Sequence, residues 1–216
     1  MPASGRGSAL LIQFAREPVE GAVKTRLIGA LSPRQACRLH SELVQWTCNT
    51  LLGAQLGDVE LAVAGSTGHP LFAACRERGV RGLTRQRGGD LGERMYNAML
   101  DGLTRYERVL LVGSDCPAID SAYLQRALEA LDRVPVVLGP AVDGGYVLIG
   151  GRQVDPRLFS GIPWGGDKVY ARTLRRLRAL GLRWAALPAL ADIDRPADLV
   201  HWRGPLGAGP EPAVRR

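Results

Sequence analysis

Three features of the sequence predict an α/β fold with a mostly parallel central sheet. Short apolar runs alternate along the chain with longer stretches of helical spacing. One run, Val109 to Val112, is apolar at every position, as in a strand covered on both faces. The chemically interesting acidic residues directly follow runs of this kind, and in open α/β sheets ligands sit outside the carboxyl ends of the strands. The sheet therefore predicts where a site should lie.

Composition narrows the class. At 216 residues the chain can bury one sizeable core, and its 46% apolar and 23% charged residues are ordinary for a globular protein. A single domain is expected over residues 9–203, with flexible termini at 1–8 and 204–216, the second rich in Gly and Pro. No run is long and apolar enough to span a membrane, and the N-terminus lacks a signal-peptide pattern, so the expected location is the cytoplasm. Cys37, Cys48, Cys75 and Cys116 are scattered and suggest neither a disulfide framework nor a zinc site. The net charge of +7 is distributed along the chain rather than gathered into a basic stripe with aromatics, which argues against nucleic acid. Only two of the 28 basic residues are lysines, Lys24 and Lys168, so a lysine is more informative here than an arginine.

The elements follow in order. Ala9 to Phe14 reads as the first strand. It runs into a loop, Ala15 to Leu27, that holds Arg16, Lys24 and Arg26 and is suited to phosphate groups. Ser32-Pro33 is a helix start, and apolar spacing carries that helix to about Leu52. Val59 to Ala64 is a second strand, Pro70 to Arg78 a short helix, and Gly82 to Thr84 a brief third strand. Gly88-Gly89-Asp90-Leu91-Gly92-Glu93-Arg94 joins a Gly-bearing loop to a helix reaching about Tyr106. Asp90 can cap that helix with Glu93 completing a capping box, while a Gly-rich turn at a helix N-terminus can also bind phosphate or ribose.

Gly113, Ser114 and Pro117 stop the central strand, leaving Asp115 just past its end as either a ligand for metal or substrate or a turn residue. Ser121 opens a helix through Leu131, and Val134 to Leu138 is the next strand. Asp143-Gly144-Gly145 then lies between strand-like ends. This is a hairpin signal, and the second Gly and Tyr146 also suit a surface that a sugar-like ligand approaches closely. Phe159 to Gly166, with Trp164, reads as a mobile loop over the site. Lys168 to Leu180 is an Arg-laden helix and Leu182 to Leu187 the last strand, after which Asp194 is placed to cap a helix beginning at Pro196.

Basic residues and carboxylates thus recur at successive strand ends: Lys24 and Arg26, Asp115, Asp143, then Asp192 and Asp194. Such a set suits a diphosphate bridged by a hard cation, with Mg²⁺ or Mn²⁺ taking oxygens from Asp and phosphate together. A serine-hydrolase reading fails, because Ser114 does not stand in Gly-x-Ser-x-Gly and nothing marks His40, His69 or His201 as a base.

Several ordered motifs carry a resemblance. They are Phe14-Ala15-Arg16-Glu17-Pro18 with Gly21 to Leu27, Gly89 to Met95, Gly113-Ser114-Asp115-Cys116-Pro117, Gly139 to Tyr146, and Asp192 to Leu199. Together they resemble the DUF2064 family of GT-A-like glycosyltransferases, over about residues 9 to 200. The Lys-Thr-Arg-Leu and Asp-Cys-Pro segments are also similar to molybdenum-cofactor and phospholactate guanylyltransferases of the wider nucleotide-diphospho-sugar transferase superfamily. The resemblance implies a Rossmann-like GT-A three-layer sandwich binding a nucleotide. It implies Asp115 and Asp194 as ligands of Mg²⁺ or Mn²⁺, and Lys24 and Arg26 as the basic pair near the phosphates. Arg16, Gly89, Asp90 and Arg94 are further candidates for the nucleotide and its phosphates. Asp143, as catalytic base, and Gly144, Gly145, Tyr146 and Trp164 are candidates for the sugar or acceptor.

Two features depart from the pattern. The Gly-x-Gly-x-Arg-Met loop of nucleotidyltransferases is absent after the first strand, and Trp164 is followed by Gly165-Gly166 where the family has Ser-Thr. The expected function is metal-dependent transfer of a sugar from a nucleoside-diphosphate sugar to a small acceptor. The alternatives are guanylyl or cytidylyl transfer to a phosphorylated small molecule, and nucleotide binding without catalysis.

Overall fold

The computed structural model describes residues 7–202. The chain runs through β1 (Gly7–Arg16), α1 (Pro33–Ala54), β2 (Asp58–Ala64), α2 (Pro70–Glu77), β3 (Gly82–Arg85) and α3 (Leu91–Arg105). It continues through β4 (Tyr106–Gly113), α4 (Ser121–Leu131), β5 (Val136–Pro140), β6 (Tyr146–Gly151), α5 (Val169–Ala179) and β7 (Trp184–Ala186). Gly7 and Ser8 open β1, two residues ahead of the strand read from the sequence. The rest of the expected leader, and the tail at 204–216, lie outside the described residues.

The seven strands form one sheet in the order β3-β2-β1-β4-β6-β5-β7. Only β6 is reversed, pairing antiparallel with both β4 and β5. The reversal follows from the Asp143-Gly144 turn, which sends the chain straight back beside β5. From β1 to β5 the connections are helical crossovers between parallel strands, and α5 leads from the reversed β6 to β7, which runs parallel to β5. Two layers of helix cover the sheet. On one face Leu11, Leu61, Leu110 and Val112 meet Val44 and Leu51 of α1, Phe72 of α2 and Leu124 of α4. On the other, Leu10, Ile12, Val109 and Leu111 meet Met95 and Met99 of α3 and Leu177 of α5. Successive strand residues point to opposite faces, so covering both sides makes every position of β4 from Val109 to Val112 apolar.

Local boundaries follow side-chain chemistry. Ser32 caps α1 with Pro33 at the first helical position, as read from the sequence, and Gln35 completes a reciprocal capping box. At α3 the capping is split. Asp90 accepts from the Glu93 amide at 2.8 Å, but the Glu93 carboxylate takes the Gly89 amide at 2.7 Å instead of that of Asp90. β5 begins at Val136 rather than Val134, because Pro135 offers no N–H to the ladder. The segment after Asp194 is a 3-10 helix, Pro196–His201, and its acidic cap is Asp198. The Asp198 carboxylate accepts from the amides of both Asp194 and Arg195. Asp194 is thereby released from the capping role expected of it.

A buried polar junction ties the site-bearing strand ends to one helix. The Gln13 amide, wholly buried, donates to the Val44 carbonyl and to Ser114 Oγ, each at 2.9 Å. Ser114 Oγ in turn donates to the Phe14 carbonyl at 2.7 Å. Ser114 thus fixes where β4 ends against β1, one residue before Asp115. Ser114→Ala leaves these groups short of partners in a dry site and is expected to cost about 1–3 kcal/mol, measured by urea denaturation.

Candidate functional site

A cavity of about 540 Å³ opens at the carboxyl ends of β1 and β4 and the start of β6. Its polar wall contains Lys24, Arg26, Asp115, Asp143 and Asp194, and its apolar wall Leu91, Met95, Tyr146 and Trp164. Arg16, Arg94 and Gly145 line it too. The volume is typical of a pocket for a small molecule. Residues scattered along the chain thus meet in one place, with Asp115 and Asp194 facing the same space.

Lys24 is the hub of the polar wall. Its ammonium lies 2.6 Å from Asp115 Oδ1 and also donates to the Ile193 carbonyl. The Lys24 side chain is only 4% exposed, whereas that of Asp115 is 48% exposed and open to the cavity. Lys24 adopts left-handed backbone angles (φ 50°, ψ 38°), a conformation that costs a non-glycine residue about 1–2 kcal/mol and is held here by these contacts. The Ile193 amide donates to the Asp115 carbonyl at 2.8 Å, so the segment carrying Asp192 and Asp194 is fastened to the end of β4 from both sides. Below it, Ile193 packs with Leu27, Leu31, Leu39 and Leu43 in a small satellite core.

Arg26 reaches across the cavity mouth. It pairs with Asp194 and donates to the Gly165 carbonyl at 3.3 Å. Asp194 chiefly, with Asp143 and Asp192 adding, holds its guanidinium above the ordinary range. Asp192, half-buried, is the residue that the sequence reading placed at a strand end without giving it a role. Asp192 and Asp194 flank the buried Ile193, and an apolar residue between two acids at a strand end is the signal that could have identified Asp192. Burial first, then the charges of Asp143, Asp115 and Asp194, push the Asp192 carboxyl up to about 6.

Other candidate residues fall in different places. Asp143 does both things that its sequence context allowed. Its carboxylate accepts from the Gly145 amide at 2.9 Å, making the turn, and it faces the cavity. Gly144, with φ at 93°, lies outside the lining. A Cβ there would stand 2.0 Å from the Asp167 carbonyl oxygen, so its glycine character serves loop packing and not ligand approach. Gly89 and Asp90 are likewise spent on capping α3 and do not line the cavity. Trp164 is seated rather than loose, since a Cβ on Gly92 would come within 2.5 Å of its ring, and Tyr146 meets it edge-on at 6.4 Å. His40 and Gln86 were missed as lining residues. Each is tied to strand-end carbonyls: the buried His40 donates to Arg16 at 2.8 Å, and Gln86 donates to Ala15 and Ala62. Burial holds the His40 imidazole below its ordinary range, which keeps it neutral.

Residues 47–166 match the family described as an uncharacterized protein conserved in bacteria, DUF2064. The chain belongs to the DUF2064 family. No curated protein matches its sequence. Among solved structures, a candidate nucleotide-diphospho-sugar transferase from Desulfovibrio desulfuricans G20 is 33% identical, with 87% of this chain and 82% of that chain covered and a TM-score of 0.76. The 4-diphosphocytidyl-2C-methyl-D-erythritol synthase of Anaerococcus prevotii is 10% identical over 90% of this chain and 93% of its own, at a TM-score of 0.59. The glucosyl-3-phosphoglycerate synthase of Mycobacterium tuberculosis, solved with Mg²⁺ and UDP, is 13% identical over 91% and 75%, at 0.54. The Rossmann-like fold expected of this DUF2064 protein is therefore the fold of nucleotidyl and glycosyl transferases alike.

The Asp192 shift makes a test in the ligand-free protein. Its folded-state value lies above the unfolded value of about 3.9, so the native state binds the proton more tightly. That stability is present below about pH 4 and is lost as the pH rises through about 6. Asp192→Asn is expected to melt above the wild type at about pH 8 and to lose the advantage near pH 4. After discounting for partial solvation, the difference is about 1–2 kcal/mol, read from melting curves across pH.

Proposed function

We propose that this DUF2064 protein is a metal-dependent glycosyltransferase that moves a sugar from a nucleoside-diphosphate sugar to a small-molecule acceptor. One observation carries the reading: Asp115 and Asp194, from distant parts of the chain, face one cavity together with the basic residue Arg26 at the carboxyl ends of the central strands. The candidate transferase of Desulfovibrio desulfuricans, to which this chain is 33% identical, supports the same class.

The donor set suits Mg²⁺ or Mn²⁺. The candidate ligands Asp115 and Asp194 both offer oxygens, which a hard cation prefers. Among the described residues no three acidic, His or Cys side chains gather closely enough to enclose an ion by themselves. Asp115 and Asp194 would therefore hold the ion, with phosphate oxygens and water completing its shell, which is the usual arrangement for Mg²⁺ with a phosphate substrate. Such an ion would supply charge stabilisation to a departing diphosphate.

The remaining chemistry belongs to the chain. Arg26 binds a diphosphate oxygen at the cavity mouth, and its pairing with Asp194 orients the guanidinium for that contact. Asp143 faces the cavity as a carboxylate and can accept the proton of an acceptor hydroxyl. Tyr146 and Trp164 present aromatic surface to the sugar or acceptor. The nucleotidyl-transfer reading shares the fold but lacks the glycine-rich loop after β1.

A screen of nucleotide sugars with Mg²⁺ or Mn²⁺ tests the proposal. Transfer or slow hydrolysis of a donor, abolished by EDTA, is the expected result. Pyrophosphate release from GTP or CTP would replace the proposal with nucleotidyl transfer, and nucleotide-induced thermal stabilisation without any turnover would replace it with binding alone. Asp194→Asn, which leaves the buried Lys24–Asp115 pair in place, is expected to lower kcat/KM by about 100-fold or more while leaving the fold intact, checked by steady-state kinetics and circular dichroism.

A further inference from the structure

We infer that Lys24 is a positioning residue, not a phosphate ligand: its buried ammonium ties the Asp115 turn to the Asp192–Asp194 segment so that both carboxylates face one space. The inference rests on reading the cavity as a pyrophosphate site. It assigns the two basic residues of the Lys24-Thr25-Arg26 motif to different tasks.

Four observations support the division. The Lys24 side chain is 4% exposed, whereas that of Arg26 is 51% exposed. The Lys24 ammonium is already engaged by an ion pair with Asp115 Oδ1 and a hydrogen bond to the Ile193 carbonyl, which lie on segments brought together only by the fold. Those segments are joined again by the hydrogen bond from the Ile193 amide to the Asp115 carbonyl, so the ammonium closes a small ring of contacts. The left-handed backbone at Lys24 turns its side chain inward while Arg26, two residues on, stays at the mouth.

An ammonium in this place has a definite consequence for Asp115. One carboxylate oxygen is engaged from within, leaving the other for the cavity. Orientation of a ligating carboxylate by an outer partner is a general device, and removing such a partner weakens metal binding. A lysine that served phosphate would instead need its ammonium free to leave Asp115. Arg26 is paired with Asp194 and donates to the Gly165 carbonyl, but its guanidinium carries five N–H donors and its side chain is exposed, so it can keep those contacts and still donate to an incoming diphosphate oxygen.

Three measurements on the full chain decide the matter. The first is hydrogen exchange in the ligand-free protein. Lys24→Met is expected to speed exchange at the Ile193 and Asp194 amides while β1 and β4 amides stay protected, which also shows that the variant folds. Unchanged protection at Ile193 would overturn the inference.

The second is Mn²⁺ alone, followed by electron paramagnetic resonance. Lys24→Met is expected to weaken binding about 10- to 100-fold, and a rise in affinity would make Lys24 a competitor of the ion and sink the assignment. The third is inorganic pyrophosphate without metal, followed by calorimetry. Arg26→Met is expected to lose about tenfold or more, and Lys24→Met much less. An equal or larger loss in Lys24→Met would identify a phosphate ligand. If the wild type binds neither Mn²⁺ nor pyrophosphate, the transferase reading fails, and the exchange result still decides whether Lys24 holds the segment.

Discussion

A buried ammonium cannot stand alone, and this constraint organises the functional end of the molecule. Transferring a charge from water to a mostly dry place is costly unless it is paired and hydrogen-bonded. Lys24 meets the requirement with one carboxylate and one carbonyl, and these come from β4 and from the segment after β7. The pairing therefore dictates where two otherwise distant stretches must sit. It also holds a non-glycine residue in a left-handed conformation that a solvated loop would leave.

The sheet makes that pairing possible. Because β1 and β4 are adjacent and parallel, the loop after one and the turn after the other emerge at the same end. Gln13 and Ser114 lock their relative register from inside, with no water to compete for the hydrogen bonds. The satellite core of Leu27, Leu31, Leu39, Leu43 and Ile193 then supplies apolar packing beneath the polar wall. Above it, Asp115, Asp143 and Asp194 share the cavity wall with Arg16, Lys24, Arg26 and Arg94, and the half-buried Asp192 is raised by burial first and by the neighbouring aspartates after that.

The opposite wall has a different physical basis. Trp164 rests on Gly92 because no side chain intervenes there, and Tyr146 closes against it edge-on. One half of the cavity is thus charged and the other aromatic.

Much of the layout was legible in the chain. The apolar run of β4, the Ser32-Pro33 helix start and the Asp-Gly turn each reflect local forces, either periodicity of burial or backbone preference. Local chemistry also pointed to Asp115 and Asp143, since both follow strands. What pattern could not convey was which of two available partners a polar group would take. Asp198, not Asp194, caps the last helical turn; Glu93 serves Gly89; Gly144 answers to Asp167 rather than to a ligand. Lys24 and Arg26 look alike in the sequence, and only burial tells them apart. The sequence by itself determined where strands end and which residues stand there, because those depend on neighbours along the chain. The tertiary structure decided which of those residues face one another, because pairing across the fold depends on the order of strands in the sheet and on which charges it hides from water.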